Sequence, residues 1–316
     1  MTPETSFSIN VDVTNPGQFF ACCGLLELAH RLWPGADGWF DGNVGMFYVH
    51  APTDNECTFQ RVSETLTSAG IEGELSSEAR NELQNLESKK RTLKKDRKNL
   101  DEGDEERRAS LGKQQREGAL SIGNPFRLHV GWWQEEGDDV PKTFAGRQEV
   151  LRMATAMLSE VCEAAQNARP LEYRCLLQAV HEEPQGTNDQ RRRRARNSGS
   201  KVEPFYFDAE RFARALDAGF SLDVQKKTIR APAAPVTELL ALIGLQRFRP
   251  RQSAESKWTF EYWTWPRPLC ASVAAAAACG AVTVPGRQGY RFALRFRDDQ
   301  KRYKAFDFAT PIGGDS

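Results

Sequence analysis

The apolar positions of this chain change period several times, and the sharpest change lies between residues 123 and 157. Phe126, Leu128 and Val130 alternate with Arg127 and His129, the two-residue period of a half-buried strand. Asn124-Pro125 opens that strand as a turn, and Trp132 and Trp133 close it. After a polar loop over 135–141, Val150, Leu151, Met153, Ala154, Met157 and Leu158 recur at helical spacing. Thr143 is placed to cap this helix, which the pattern carries to residue 167, short of Pro170.

The chain starts with the same logic. Residues 7–13 alternate apolar and polar side chains as a strand does, and Thr14-Asn15-Pro16-Gly17 turns the chain into a helix over 18–32. Phe19, Phe20, Cys22, Cys23, Leu25, Leu26 and Leu28 leave that helix almost no polar face, so it is expected to be buried on nearly all sides. Short strands are expected near 39–40 and 46–50, and a short helix over 58–69.

Residues 77–118 depart from this pattern. They are dense in Lys, Arg, Glu and Gln, and Leu86, Leu93 and Leu100 recur every seventh residue while the companion positions hold Lys90 and Arg97. That is half a coiled-coil seam, and a turn at 101–104 would fold it into a charged helical hairpin. Such an arm is either solvated or docked on a partner or a nucleic-acid backbone. A second departure spans 183–201, with five arginines at 191–196, Arg192 and Arg193 among them. It has too little apolar surface to order itself and reads as a flexible Arg-rich linker. The organisation expected is an N-terminal α+β domain (1–182), the linker, and a basic C-terminal α+β domain (202–316).

Beyond the linker, an aromatic segment at 204–208 precedes a short helix over 209–216, and Thr237 is placed to cap a helix rich in leucine up to Leu245. Arg247, Arg249 and Arg251 then alternate with Phe248 and Pro250 in a stiff basic loop. An aromatic strand over 259–265, an alanine-rich buried helix over 269–281 and a hairpin over 290–308 turning at Asp298-Asp299 follow. The fold class expected is α+β, with small mixed sheets packed on buried helices and an inserted charged arm.

Net charge is zero, but its distribution is uneven. Residues 1–75 hold two basic side chains against ten acidic ones, whereas residues 226–304 hold fifteen Lys and Arg against five carboxylates. The basic end can attract polyanions while the whole stays neutral. No apolar run approaches a membrane span and the start lacks signal-peptide character, so a cytoplasmic location is expected. The seven cysteines lack CxxC spacing and the four histidines are not spaced as their co-ligands, so no metal or other cofactor is expected.

The catalytic signatures are missing: no phosphate-binding glycine loop, no HExxH, no GxSxG and no paired carboxylate set. His30 and His129 are the candidate bases, neither with a recognisable partner. What the residues support is binding. Lys142, Thr143 and Arg147 stand at a helix start whose unpaired amides suit a phosphate, and Trp132 and Trp133 are delivered to the same loop for stacking. Arg247, Arg249, Arg251, Arg192 and Arg193 supply further cations for a nucleic-acid backbone. Ordinary strand–loop–helix packing is the competing reading of the tryptophan loop.

The segments NPGQFFACCGLLELAHRLW (15–33), KTFAGRQEVLRMA (142–154), PFYFDAERF with GFSLD (204–223), TELLALIGLQRFRP (237–250) and YWTWPRPL (262–269) resemble the large, Cas8-type subunit of the type I-G (formerly I-U) CRISPR Cascade complex. The resemblance implies a non-enzymatic subunit at the 5′ end of the guide RNA. Such a subunit recognises the PAM beside the target, helps open the duplex and gives the recruited helicase-nuclease a landing site. Its partners would be crRNA, target double-stranded DNA, the backbone and guide-end subunits, and that nuclease, with no membrane. This chain is short for a large subunit, so a separate helical small subunit would supply the missing bundle. Two alternatives stand beside this reading: a metal-independent guide-RNA processing endonuclease, and a scaffold that binds only protein through the acidic N-terminal face.

Overall fold

In the computed structural model of the chain, Asn15 and Pro16 start the helix on which the other elements rest. The structure describes residues 5–52, 56–96, 98–135, 140–144, 148–178, 202–211, 232–297 and 303–313. Helix α1 (Pro16–Leu32) begins with proline in its first turn, and the Asn15 side chain accepts from the Gly17 amide. Its residues from Pro16 to Ala29 are buried, as its mostly apolar surface demands, with Gln18 and Glu27 the polar exceptions. One face packs on a four-stranded sheet in the order β1 (Phe7–Asn10), β3 (Met46–His50), β2 (Asp37–Asp41), β9 (Leu269–Cys270). Phe19 stacks on Phe40 of that sheet at 5.2 Å.

The fold is α+β. A second sheet runs β11 (Lys304–Phe306), β10 (Gln288–Phe296), β8 (Thr259–Thr264), β7 (Arg251–Gln252), with β12 (Thr310–Pro311) also on β10. A third holds β4 (Ile71–Gly73), β5 (Leu120–Ile122) and β6 (Leu128–Val130). The expected mixed sheets are instead antiparallel in every described pairing; α1 crosses from β1 to β2, but β3 lies between those two strands and runs against both. Helix α2 (Phe59–Ala69) is capped by Thr58, whose hydroxyl accepts from the Arg61 amide.

The charged arm is a helical hairpin of α3 (Ser77–Lys95) and α4 (Glu102–Glu117), with Asp101 capping the second helix. Leu75, Leu83, Leu86 and Leu111 form a small apolar cluster of their own, apart from the main core. Salt bridges tie the helices together: Lys90 to Glu105, Lys89 to Asp104, and Arg107 to Glu82 through two hydrogen bonds of 2.8 Å.

The two stretches flanking 183–201, itself outside the described residues, do not form separate cores. Helix α6 (Pro235–Gly244) lies against α1, and β9 adds to β2, so one apolar cluster runs from Ile9 to Ala309. The composition change at the linker therefore marks no break in packing. Three boundaries also move. Helix α5 (Val150–Ala164) starts seven residues after Thr143, with Glu149 at its cap. Helix α6 starts at Pro235, leaving Thr237 inside the first turn, where its hydroxyl donates to the Leu171 carbonyl at 2.8 Å. Leu269 and Cys270 pair as a strand before helix α7 (Ala271–Ala278) begins. The turn at 298–299 and most of the expected 209–216 helix lie outside the described residues.

Candidate nucleic-acid interface

The tryptophan loop folds inward. Trp132 is fully buried and Trp133 is 4% exposed, in a 3₁₀ turn spanning Trp132–Gln134. The Trp132 indole N–H donates to the Leu242 carbonyl at 3.0 Å and that of Trp133 to the Glu117 carbonyl at 2.8 Å. The Gln246 side chain accepts from the Gly131 and Trp132 amides, pinning the turn to the end of α6. An indole with both faces covered offers no stacking surface, so the stacking role assigned to this pair is withdrawn.

The helix-start anion site goes with it. Thr143 is 1% exposed and its hydroxyl donates to the Phe205 carbonyl, so it caps no helix. Lys142 is drawn to Glu117 at 3.1 Å and to the ring of Phe144 at 5.3 Å. Arg147, Arg192 and Arg193 lie outside the described residues.

The basic loop after α6 is present, but its arginines are already engaged. Arg247 donates to Glu27 of α1 at 2.5 Å. Burial alone would raise the Glu27 carboxyl, but hydrogen bonds from Arg247 and Arg31 outweigh it and hold the group below its ordinary range. Arg249 forms a two-pronged pair with Glu135 at 2.9 and 2.8 Å, which holds that carboxyl low as well. Arg251 donates to Glu261 at 2.5 Å, and its side chain remains 56% exposed.

The five-stranded sheet and its flanking loops bring several cations onto aromatic rings. Phe260, Tyr262 and Phe292 point into the core, so alternation turns Glu261, Trp263 and Arg291 to the opposite face. Arg251, Glu261 and Arg291 form one cross-strand row on β7, β8 and β10, with Arg291 2.7 Å from Glu261. Arg251 of this sheet and Arg287, just before β10, lie 4.6 and 5.6 Å from the Trp263 ring. At the sheet's other end Lys257 and Lys304 lie 5.0 and 4.4 Å from the Trp258 ring, and Arg297 lies 3.4 Å from the ring of the buried Tyr206 and 5.5 Å from that of Tyr303. Of these, Arg251 is the one expected from sequence as a nucleic-acid contact, while Arg291 and Arg297 stand out in sequence as arginines of the terminal hairpin. The signal that was available is Gly289, which stands directly across from Trp263 in the strand register.

Three of the phrases carrying the family resemblance converge in a buried polar knot. Asn15 accepts from the Ala209 amide at 3.1 Å and donates to Asp208 at 2.8 Å. Glu238 of α6 accepts from the Phe207 and Asp208 amides at 3.1 and 3.3 Å. Burial, then the charge of Asp208, pushes the Glu238 carboxyl up to about 7, and burial raises Asp208 too. These contacts fix the 202–211 segment to the starts of both central helices.

Of the candidate bases, His30 is half-buried at the end of α1 and His129 is exposed on β6. His30 and His50 lie within electrostatic reach of Asp37, whose carboxyl burial raises against their pull. Among the described residues no group of three or more His, Cys, Asp or Glu is placed to hold a metal ion, and no helix is long and apolar enough to cross a membrane. No disulfide forms; Cys22, Cys23 and Cys57 are buried, while the other four are partly exposed. Comparison with protein-family models, with curated proteins and with solved structures finds no match.

Proposed function

We propose that this chain is a non-catalytic nucleic-acid-binding subunit of a cytoplasmic, crRNA-guided type I CRISPR surveillance complex. It contributes to PAM and target-DNA recognition and to recruitment of the helicase-nuclease, alongside crRNA and the backbone and guide-end subunits. The observation that supports this reading is the repeated seating of cations on aromatic rings at and beside the strands of one sheet: Lys257 and Lys304 on Trp258, and Arg251 and Arg287 on Trp263. Cations ordered this way are presented to a polyanion at reduced entropic cost.

A scaffold that touches only protein is the second reading. It draws on Arg247, Arg249 and Arg251 each being held by a carboxylate of the same chain. The test is co-purification with guide RNA and the neighbouring subunits, followed by cleavage assays on repeat RNA. Retention in the guide-containing assembly without cleavage is expected. Repeat-specific cleavage lost in His30→Ala or His129→Ala would replace the proposal with a guide-processing enzyme.

A further inference from the structure

We propose that the outer face of the five-stranded sheet around Trp263 binds the phosphodiester backbone of nucleic acid without reading its sequence, through Arg251, Arg267, Arg287 and Arg291. The inference rests on the nucleic-acid reading above and adds the site and the mode of contact.

Trp263 is 8% exposed and sits between two glycines. A Cβ at Gly280 would stand 2.8 Å from the indole Cζ3, and one at Gly289 2.7 Å from Nε1, so any larger residue would push the ring out. Two guanidinium groups cover what remains of it. No surface is left for a base to stack on, which separates this site from aromatic platforms that bind single strands by their bases. The ring serves the arginines instead. A guanidinium lying on an indole keeps its N–H edge outward, in the planar fork that matches phosphate oxygens.

The surroundings fit an anion. Glu261 anchors Arg251 and Arg291 from between them, and Glu255 takes the outer edge of Arg291 at 2.7 Å. Arg287 donates to the Val282 carbonyl at 3.4 Å, and neither it nor the exposed Arg267 has a carboxylate partner among the described residues. Pro266 packs against Gly286, so Arg267 and Arg287 lie on adjoining loops. Glu261 and Glu255 thus hold Arg251 and Arg291, and Arg287 shares the Trp263 ring with the anchored Arg251. Cross-strand pairing sets Arg251 and Arg291 at strand spacing, which a phosphate backbone can follow.

The experiment measures binding of labelled duplexes, one PAM-bearing and one scrambled, to the full chain from 50 to 300 mM salt. It compares wild type, Arg267→Ala/Arg287→Ala, and Lys257→Ala/Lys304→Ala, with thermal melting as the check on folding. The first double variant should melt as wild type does. It should bind both duplexes several-fold more weakly, with the log–log salt slope shallower by about 0.9 for each lost phosphate contact. A loss confined to the PAM-bearing duplex would mean base reading and would overturn the proposal. Unchanged affinity and slope would also overturn it; a loss seen only in the Lys257/Lys304 variant would then leave the broader nucleic-acid reading standing. Absence of binding by wild type at the lowest salt would remove that reading and this site together.

Discussion

Gly24 and Gly244 meet where α1 and α6 cross, backbone against backbone. A Cβ on Gly24 would stand 2.0 Å from the Leu240 carbonyl oxygen, and one on Gly244 would stand 2.1 Å from that of Phe20. The contact joins helices on opposite sides of the Arg-rich linker. Gly24→Ala or Gly244→Ala should therefore cost at least about 2–3 kcal/mol, the upper range for overpacking, since the obstacle is backbone rather than a movable side chain. Urea unfolding measures it. A loss under about 0.5 kcal/mol would mean that the helices are further apart than described.

Arg247 and Arg249 should separate by their effect on stability. Glu27 is 1% exposed, so Arg247→Ala leaves a buried carboxylate with Arg31 as its remaining partner. The expected loss is about 1–2 kcal/mol at neutral pH, below that of a fully buried pair because Arg247 is itself 39% exposed. Glu27 has a depressed pKa, so its contribution is present above the ordinary carboxylate range and is lost as pH falls through the folded value. The Arg247→Ala defect should accordingly shrink in acid. Arg249→Ala breaks an exposed pair and should cost less than about 1 kcal/mol. Equal losses, or an Arg247→Ala defect that grows in acid, would be inconsistent with this account.

Much of this architecture is readable in the chain, and the failures share a cause. Helix α1 is plain because apolar residues surround it and Asn15-Pro16 announces its start. The hairpin of α3 and α4 follows from one leucine row and an Asp-initiated turn. Trp132 was misplaced because the carbonyl that receives its indole belongs to Leu242, 110 residues away. Arg247 and Arg249 gave charge without partners, since Glu27 and Glu135 lie 220 and 114 residues distant. Composition at 183–201 suggests a domain boundary because it carries no information on the packing of the segments to either side. The seat of Trp263 is a borderline case: Gly280 and Gly289 are visible, but their meaning depends on strand register.

Glu238 gives the molecule a pH response of opposite sign. Its carboxyl is raised from the ordinary 4.5 to about 7, and Asp208 beside it is raised too. The native state therefore binds more protons at Glu238 than the unfolded chain does between those values, so the Glu238 contribution is full below about pH 4.5 and is lost as pH rises through 7. The decline should be on the order of 2–3 kcal/mol for Glu238. Denaturant midpoints from pH 5 to 8 check it, with Glu238→Gln flattening the profile. A steep decline retained in Glu238→Gln would place its origin elsewhere.

The arm should be removable. Gly73 pairs with Leu120, so β4 and β5 are already neighbours and a short turn can join them once residues 77–115 are cut out. Glu117 must stay, because its carbonyl receives the Trp133 indole. The apolar cluster of the arm is separate from the main core, so the melting transition should remain cooperative and within about 1 kcal/mol of wild type. An insoluble product would show that the arm braces the core.

The central claim is tested most directly by duplex affinity of the guide-loaded complex, assembled with and without this chain, for PAM-bearing and PAM-scrambled targets across a salt series. With the chain present, binding should be tighter for the PAM-bearing duplex, and the log–log salt slope steeper by about 0.9 for every phosphate the chain contacts. Identical affinity, slope and PAM preference in a complex that assembles without the chain would contradict a role in DNA recognition.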